Sequence, residues 1–269
     1  MNLPMRALAA HFRAHLAVMM QYRGEVLLWS VWGVISPAVL YAMWSAAASG
    51  SSSGVIAGYD QASFAAYFLM MMIVGHVTAA WDVYEMGYLV RSGSMSAQLL
   101  KPVLPMWQSI GANMAYKVVT LMFVVPMWAI FAWIVKPKFQ PEWWEVAAGL
   151  AAMVLGSALA YLLSYVMAMA AFWAPKLDAL GEAFFALSMF AGGRFAPIEA
   201  LPWYVVPVAK ALPFRWMYEF PTELLVGGRL SGAETVWGLI AQLGWLGVLV
   251  VAFRVLWRAG LKRYTAVSG

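Results

Sequence analysis

The chain has 269 residues, of which 64% are hydrophobic, 15% aromatic and 11% charged, with no cysteine and a formal net charge of +5. Soluble domains carry about 25% charged residues, so this composition excludes a cytosolic enzyme, a nucleic-acid binder, a disulfide scaffold and a disordered tail. With a mean hydropathy of +0.75 and about 20 residues needed per helical crossing, it fits an all-α integral membrane protein of six spans.

In chain order, residues 1–25 read as an interfacial helix. Arg6, His11, Arg13, His15 and Arg23 make it too polar to span, while Leu8, Phe12, Leu16, Val18 and Met19 supply an apolar side. The first span, 26–48, starts too far in and runs too long for a signal-peptide core. A Gly/Ser loop at 49–58 leads to the second span, 62–83, with His76 in its middle and Asp82 and Glu85 toward its inner end. The connection at 85–110 contains Arg91-Ser92-Gly93-Ser94-Met95-Ser96-Ala97-Gln98-Leu99-Leu100-Lys101-Pro102. Ser94 can cap a short helix there. Met95, Leu99 and Leu100 fall at i, i+4 and i+5 on one face, and Pro102 and Pro105 end it. Such a helix is either an interfacial anchor or a docking element for a soluble partner.

The third span, 112–135, closes at Lys136-Pro137-Lys138. The fourth, 143–173, ends at Pro175 and carries small residues at every fourth position: Ala148, Ala152, Gly156, Ala160, Ser164 and Ala168. Small residues let helix backbones approach closely. Because a row at i+4 drifts about 40° per step on a straight helix, one partner helix cannot follow all of it. Packing within the subunit and a dimer interface are both open. The fifth span, 180–193, is short and opens on Asp178 and Glu182. Residues 194–234 stay apolar yet hold Pro197, Pro202, Pro207, Pro213 and Pro221, a spacing that no single helix survives. Pieces at 201–212 and 215–226 read as a pair of re-entrant or interfacial helices. Broken backbone at membrane depth needs protein or a water-filled cavity around it, so a pathway gate is expected here. The sixth span, 236–256, precedes a basic tail.

Counting Lys and Arg by flank puts eleven on the side of the N-terminus and six on the other, so both termini are expected in the cytoplasm. Catalytic patterns are missing. The three histidines, His11, His15 and His76, form no HExxH and leave no metal ligand set. Gly50-Ser51-Ser52-Ser53-Gly54 matches GxSxG formally, but lies in a low-complexity loop rather than a strand-to-helix elbow. No Gly-Lys pair exists, so this chain has no P-loop for ATP.

The run Arg91-x-Gly93-x-Met95-x-x-x-Leu99-Leu100-Lys101-Pro102 after the second of six spans resembles the ABC-2 type permeases, a family related to antibiotic- and viologen-export permeases. The resemblance extends to the N-terminal helix, the topology and the outer stretch Phe195-Ala196-Pro197-Ile198-Glu199 through Leu212-Pro213-Phe214. It implies that Arg91, Gly93, Met95, Leu99, Leu100, Lys101 and Pro102 contact an ABC ATPase subunit, present in two copies. ATP and Mg would sit on that subunit, with no cofactor in this chain. It further implies a second permease, identical or related, and a bacterial inner-membrane location. His76 and Glu182 are candidates for lining the pathway; Pro197, Glu199, Pro213 and Phe214 for the outer gate; Ala152, Gly156 and Ala160 for helix packing. The rival reading is a proton-driven secondary transporter using His76, Asp82 and Glu182 as relay groups. It lacks an inverted internal repeat.

Overall fold

The computed structural model describes residues 3–174 and 176–264. It is helical almost throughout: α1 (Leu3–Gln21), α2 (Arg23–Gly50), α3 (Gln61–Thr78), α4 (Asp82–Arg91), α5 (Ser94–Leu99), α6 (Met106–Val135), α7 (Trp143–Ala168), α8 (Asp178–Phe190), α9 (Val206–Ala211), α10 (Pro213–Met217), α11 (Glu219–Val226) and α12 (Gly232–Arg263). Short 3-10 turns cover Met169–Phe172 and Ile198–Ala200.

Five stretches among the described residues are long and apolar enough to cross a membrane: α2, α3 with α4, α6, α7 with its 3-10 extension, and α12. The helix expected as a fifth span is α8, which has only 13 residues and reaches about 20 Å at 1.5 Å per residue. Its composition is apolar; its length falls short of a hydrocarbon core about 30 Å thick. Several bounds also shift. Helix α6 begins at Met106, six residues before the expected 112, and α12 carries the basic tail through Arg263 as two further helical turns. Pro175 lies outside the described residues.

The second span differs most. It does not end at residue 83; it breaks at Ala79-Ala80-Trp81 and resumes as α4 to Arg91. The carbonyls freed by the break are taken by neighbouring helices. Asn113 Nδ2 of α6 donates to the Ala79 carbonyl at 3.0 Å, and Ser157 Oγ of α7 donates to the Val77 carbonyl at 2.8 Å. Backbone groups at membrane depth must find such partners, since lipid offers none.

Helix α3 is the central element. Just over half of its apolar window is buried, against 11–28% for the other four stretches. Around it, Phe64, Tyr67, Phe68 and Met71 pack with Tyr59, Leu159, Ile198, Phe214 and Met217. A second core lies beneath α4 and α5, where Val83, Met86 and Met95 meet Tyr165, Met169, Phe172, Leu177 and Trp257. The outer sides of the bundle show large apolar residues, among them Trp32, Val39, Trp133, Val154 and Val251, as a lipid-facing surface should. Helix α1 is no loose anchor. It lies along the start of α6, close enough that a Cβ on Gly111 would sit 3.0 Å from His11 Cβ and 3.1 Å from the Phe12 nitrogen.

The proline-rich segment forms four short pieces because each proline sits where a helix tolerates it. Pro207 and Pro213 fall in the first turns of α9 and α10, where the missing N–H has no intrahelical partner to lose. Pro221 lies in the first turn of α11. From Pro213 to Gly227 the chain is buried almost without interruption. Gly156 of α7 lies against the Met217 carbonyl, and Gly149 against Leu224 and Leu225. Beyond α11, the Gln140 N–H donates to the Val226 carbonyl at 3.0 Å, just before α7 begins. Helix α11 thus runs beside the first half of α7 from its middle back to its start.

Candidate functional site

Three features bring polar chemistry into this apolar bundle: a cavity among the long helices, a charge network in the proline-rich segment, and the surface around α5. The cavity, about 190 Å³, lies between α2, α3, α6 and α8. Trp29, Trp32, Trp128 and Phe185 give it aromatic walls, and His76 and Arg194 give it polar points. His76 sits where α3 nears its break. Its Nε2–H donates to the Lys117 carbonyl of α6 at 3.1 Å, and Trp128 meets the ring edge-on with centroids 5.6 Å apart. His76 therefore both ties α3 to α6 and faces the cavity. Arg194 donates to Ser188 Oγ at 3.1 Å and lies over the rings of Phe185 and Tyr218, 5.7 and 5.2 Å from their centroids. Aromatic faces stabilise a guanidinium in apolar surroundings. Glu182 lies elsewhere, on the exposed side of α8.

The charge network was not singled out from the sequence. Arg215 of α10 contacts two carboxylates of α11: Nε lies 3.2 Å from Glu219 Oε2, and Nη2 donates to Glu223 Oε2 at 3.2 Å. All three side chains are buried. Glu219 Oε1 also accepts the Ile198 N–H at 2.5 Å, which fastens the 3-10 turn onto α11. Glu199 of that turn pairs with Lys210 of α9 at 3.0 Å in a more exposed position. Burial opposes its ionisation, but Lys210 and then Arg215 hold the Glu199 carboxyl below its usual range. Carboxylate oxygens of Glu199, Glu219 and Glu223 lie within 4.8 Å of one another, as in a metal site. The guanidinium already provides the cation there, so the cluster is better read as a structural ion network. The signal was present as Arg-x3-Glu-x3-Glu in an apolar segment, one stripe of a helix.

Of the expected gate residues, Pro197 precedes the 3-10 turn, Glu199 holds Lys210, and Pro213 and Phe214 are buried. Phe214 packs against Phe184 of α8 with centroids 5.9 Å apart. The small residues of α7 receive the same segment. Ala152 packs with Phe220 and Leu224, Gly156 with the Met217 backbone, and Ala160 in the core around Met217. Gln242 of α12 closes this arrangement, its Nε2 donating at 2.8 Å to the carbonyls of both Ala152 and Trp216.

At the other end of the molecule, Gly93 turns the chain from α4 into α5 with φ +71°. Helix α5 has six residues, and the single face expected for Met95, Leu99 and Leu100 does not form. Met95 is fully buried in the second core, Leu99 is half-buried, and Leu100 is 87% exposed. Leu100 still continues the helical backbone, its N–H donating to the Ser96 carbonyl at 3.3 Å, and five steps of about 100° put it about 140° around from Met95. Arg91, Lys101 and Pro102 are exposed beside it. Ser96 Oγ and the Tyr264 hydroxyl lie 2.7 Å apart, joining α5 to the residue after α12. His11 and His15 of α1 are near this end. Burial lowers the pKa of both from the ordinary histidine value, with Lys101 adding to the effect at His11.

No curated protein and no solved structure matches the chain. A family described as ABC-2 family transporter protein matches it over residues 34–268, a range that includes His76 and Arg194 of the cavity, the charge network and α5. The chain belongs to this ABC-2 transporter family and is a multi-pass membrane protein, a permease component of an ABC transporter.

Proposed function

We propose that this permease crosses the bacterial cytoplasmic membrane six times with both termini in the cytoplasm, α8 serving as a short fifth span. On this reading α9 to α11 form a re-entrant hairpin on the outer side. Two permeases, identical or related, enclose a path, and two ABC ATPase subunits dock below. ATP and Mg2+ belong to those subunits; this chain supplies the path and the coupling. The aromatic cavity holding His76 and Arg194 suits an amphiphilic cargo, which places apolar surface on rings and a polar group on a donor.

One observation carries the coupling role. The end of α5 and the residues after it present Leu100, Lys101 and Pro102 outward while Met95 is sunk among residues of α4, α7 and α12. A docked partner would bury the exposed Leu100 side chain, a gain of about 1.5–3 kcal/mol for a leucine fully buried, and would meet the charge of Lys101 beside it. A push on α5 reaches the broken second span through Met95, because packed interiors shift as units. Leu100→Asp tests this without disturbing the core. The variant is expected to insert and to melt within about 2 °C of wild type, since exposed substitutions shift stability by about 0.5 kcal/mol or less. Its capture of a soluble P-loop ATPase from native membranes should fall at least about tenfold, the loss of a contact worth about 1.4 kcal/mol. Undiminished capture would overturn the assignment of α5.

A further inference from the structure

A small pocket lies where α1, α4, α5, α6 and α7 converge, apart from the cavity and from the exposed surface of α5. Its polar lining comes from His15, Asp82, Glu85, Gln98, Gln108, Ser109 and Tyr165. Asp82 opens α4 directly after the break in the second span and is 4% exposed. Its Oδ1 accepts the Ser109 hydroxyl of α6. Its Oδ2 is buried and has no hydrogen-bond partner. No ion pair reaches it among the described residues; Lys117 and Glu85 act on it only through their charge. A buried carboxylate oxygen without a donor is costly, and native structures rarely keep one without a proton, a water or an ion to take it.

We propose that this pocket binds a divalent cation of the Mg2+ type, held by the carboxylates of Asp82 and Glu85. The donor set is oxygen apart from one imidazole, which selects a hard ion over zinc or copper. Space also decides. The pocket is about 50 Å³, room for an ion with several waters, since about 10–15 Å³ of such space holds one water. Mg2+ is commonly held by one or two carboxylates while it keeps several waters. Glu85 Oε1 already accepts Trp81 Nε1 at 3.1 Å, which leaves Oε2 for the ion. Bound there, the ion would fix three parts to one another: the start of α4, the Gln98 side of α5 and the first turn of α6.

The test uses the full chain purified in detergent, stripped with a chelator and titrated with MgCl2, with choline chloride at matched ionic strength as reference. Thermal melting reads occupancy, because a ligand that binds only the folded state raises the melting temperature. Wild type should show a saturable rise that choline chloride does not reproduce. In Asp82→Asn the midpoint of that titration should rise at least about tenfold, while Asp178→Asn, an exposed carboxylate at the start of α8, should leave it unchanged. If Asp82→Asn melts too low to titrate, Glu85→Gln decides by the same criterion. A wild type that responds no more to MgCl2 than to choline chloride overturns the proposal. So does an unchanged midpoint in the deciding variant. Equal responses to NaCl and MgCl2 at the same concentration overturn the divalent assignment.

Discussion

Arg215→Ala is expected to be the most destabilising single substitution in the chain, lowering stability by about 3–5 kcal/mol. The guanidinium stands between Glu219 and Glu223, both buried, at 3.2 Å from each. Removing it leaves two carboxylates facing each other in an apolar interior, with only Lys210, already paired to Glu199, as a counter-charge. The loss should appear as a fall in melting temperature on the order of 10 °C. A companion variant separates charge from shape: Arg215→Met with Glu219→Gln and Glu223→Gln removes every charge at once. Replacing a whole buried ion network by neutral groups is often neutral or stabilising, so the triple variant should melt well above Arg215→Ala. If the two melt together, packing rather than charge holds this segment.

Gly156→Leu should disturb the same region from the opposite side. A Cβ at this position would lie 2.8 Å from the Met217 carbonyl oxygen and 3.3 Å from that of Trp216. Both neighbours are backbone, so they cannot swing away as a side-chain tip can. Helix α10 has to leave α7, and the Trp216 carbonyl then leaves Gln242. Overpacking of this kind costs about 1–3 kcal/mol and occasionally more, which outweighs the gain of about 1 kcal/mol from replacing a helical glycine. Gly244→Leu on α12 is the control, since nothing lies within 4 Å of that position. We expect a clear fall in melting temperature for the first and none for the second. Equal behaviour would contradict the close approach of α7 and α10.

These two sites mark where the sequence was legible and where it was not. The long helices stand out because lipid imposes a continuous apolar run on any span, and α2, α6, α7 and α12 follow it. The prolines from 197 to 221 foretell a broken segment because each fixes its own backbone. Nothing in Ala79-Ala80-Trp81 foretells a break, since none of these residues interrupts a helix by itself. The break depends on Asn113 and Ser157, which come from two other helices to take the carbonyls. Arg215, Glu219 and Glu223 were visible as charges at helical spacing, but their burial depends on α7 offering Gly149 and Gly156. Likewise, residues at i and i+5 stand about 140° apart on a helix, so Met95 and Leu100 cannot share a face, and which of them turns inward depends on the core that α4, α7 and α12 provide.

The central claim is that this permease draws its energy from a separate ATPase. The most direct measurement is purification of the wild-type chain from native membranes in mild detergent. Co-purifying chains would be identified by mass spectrometry, and the eluate assayed for ATP hydrolysis. The account predicts a stoichiometric soluble P-loop ATPase and hydrolysis that co-elutes with the permease. A preparation free of any ATPase that still transports in liposomes under a proton gradient would contradict it.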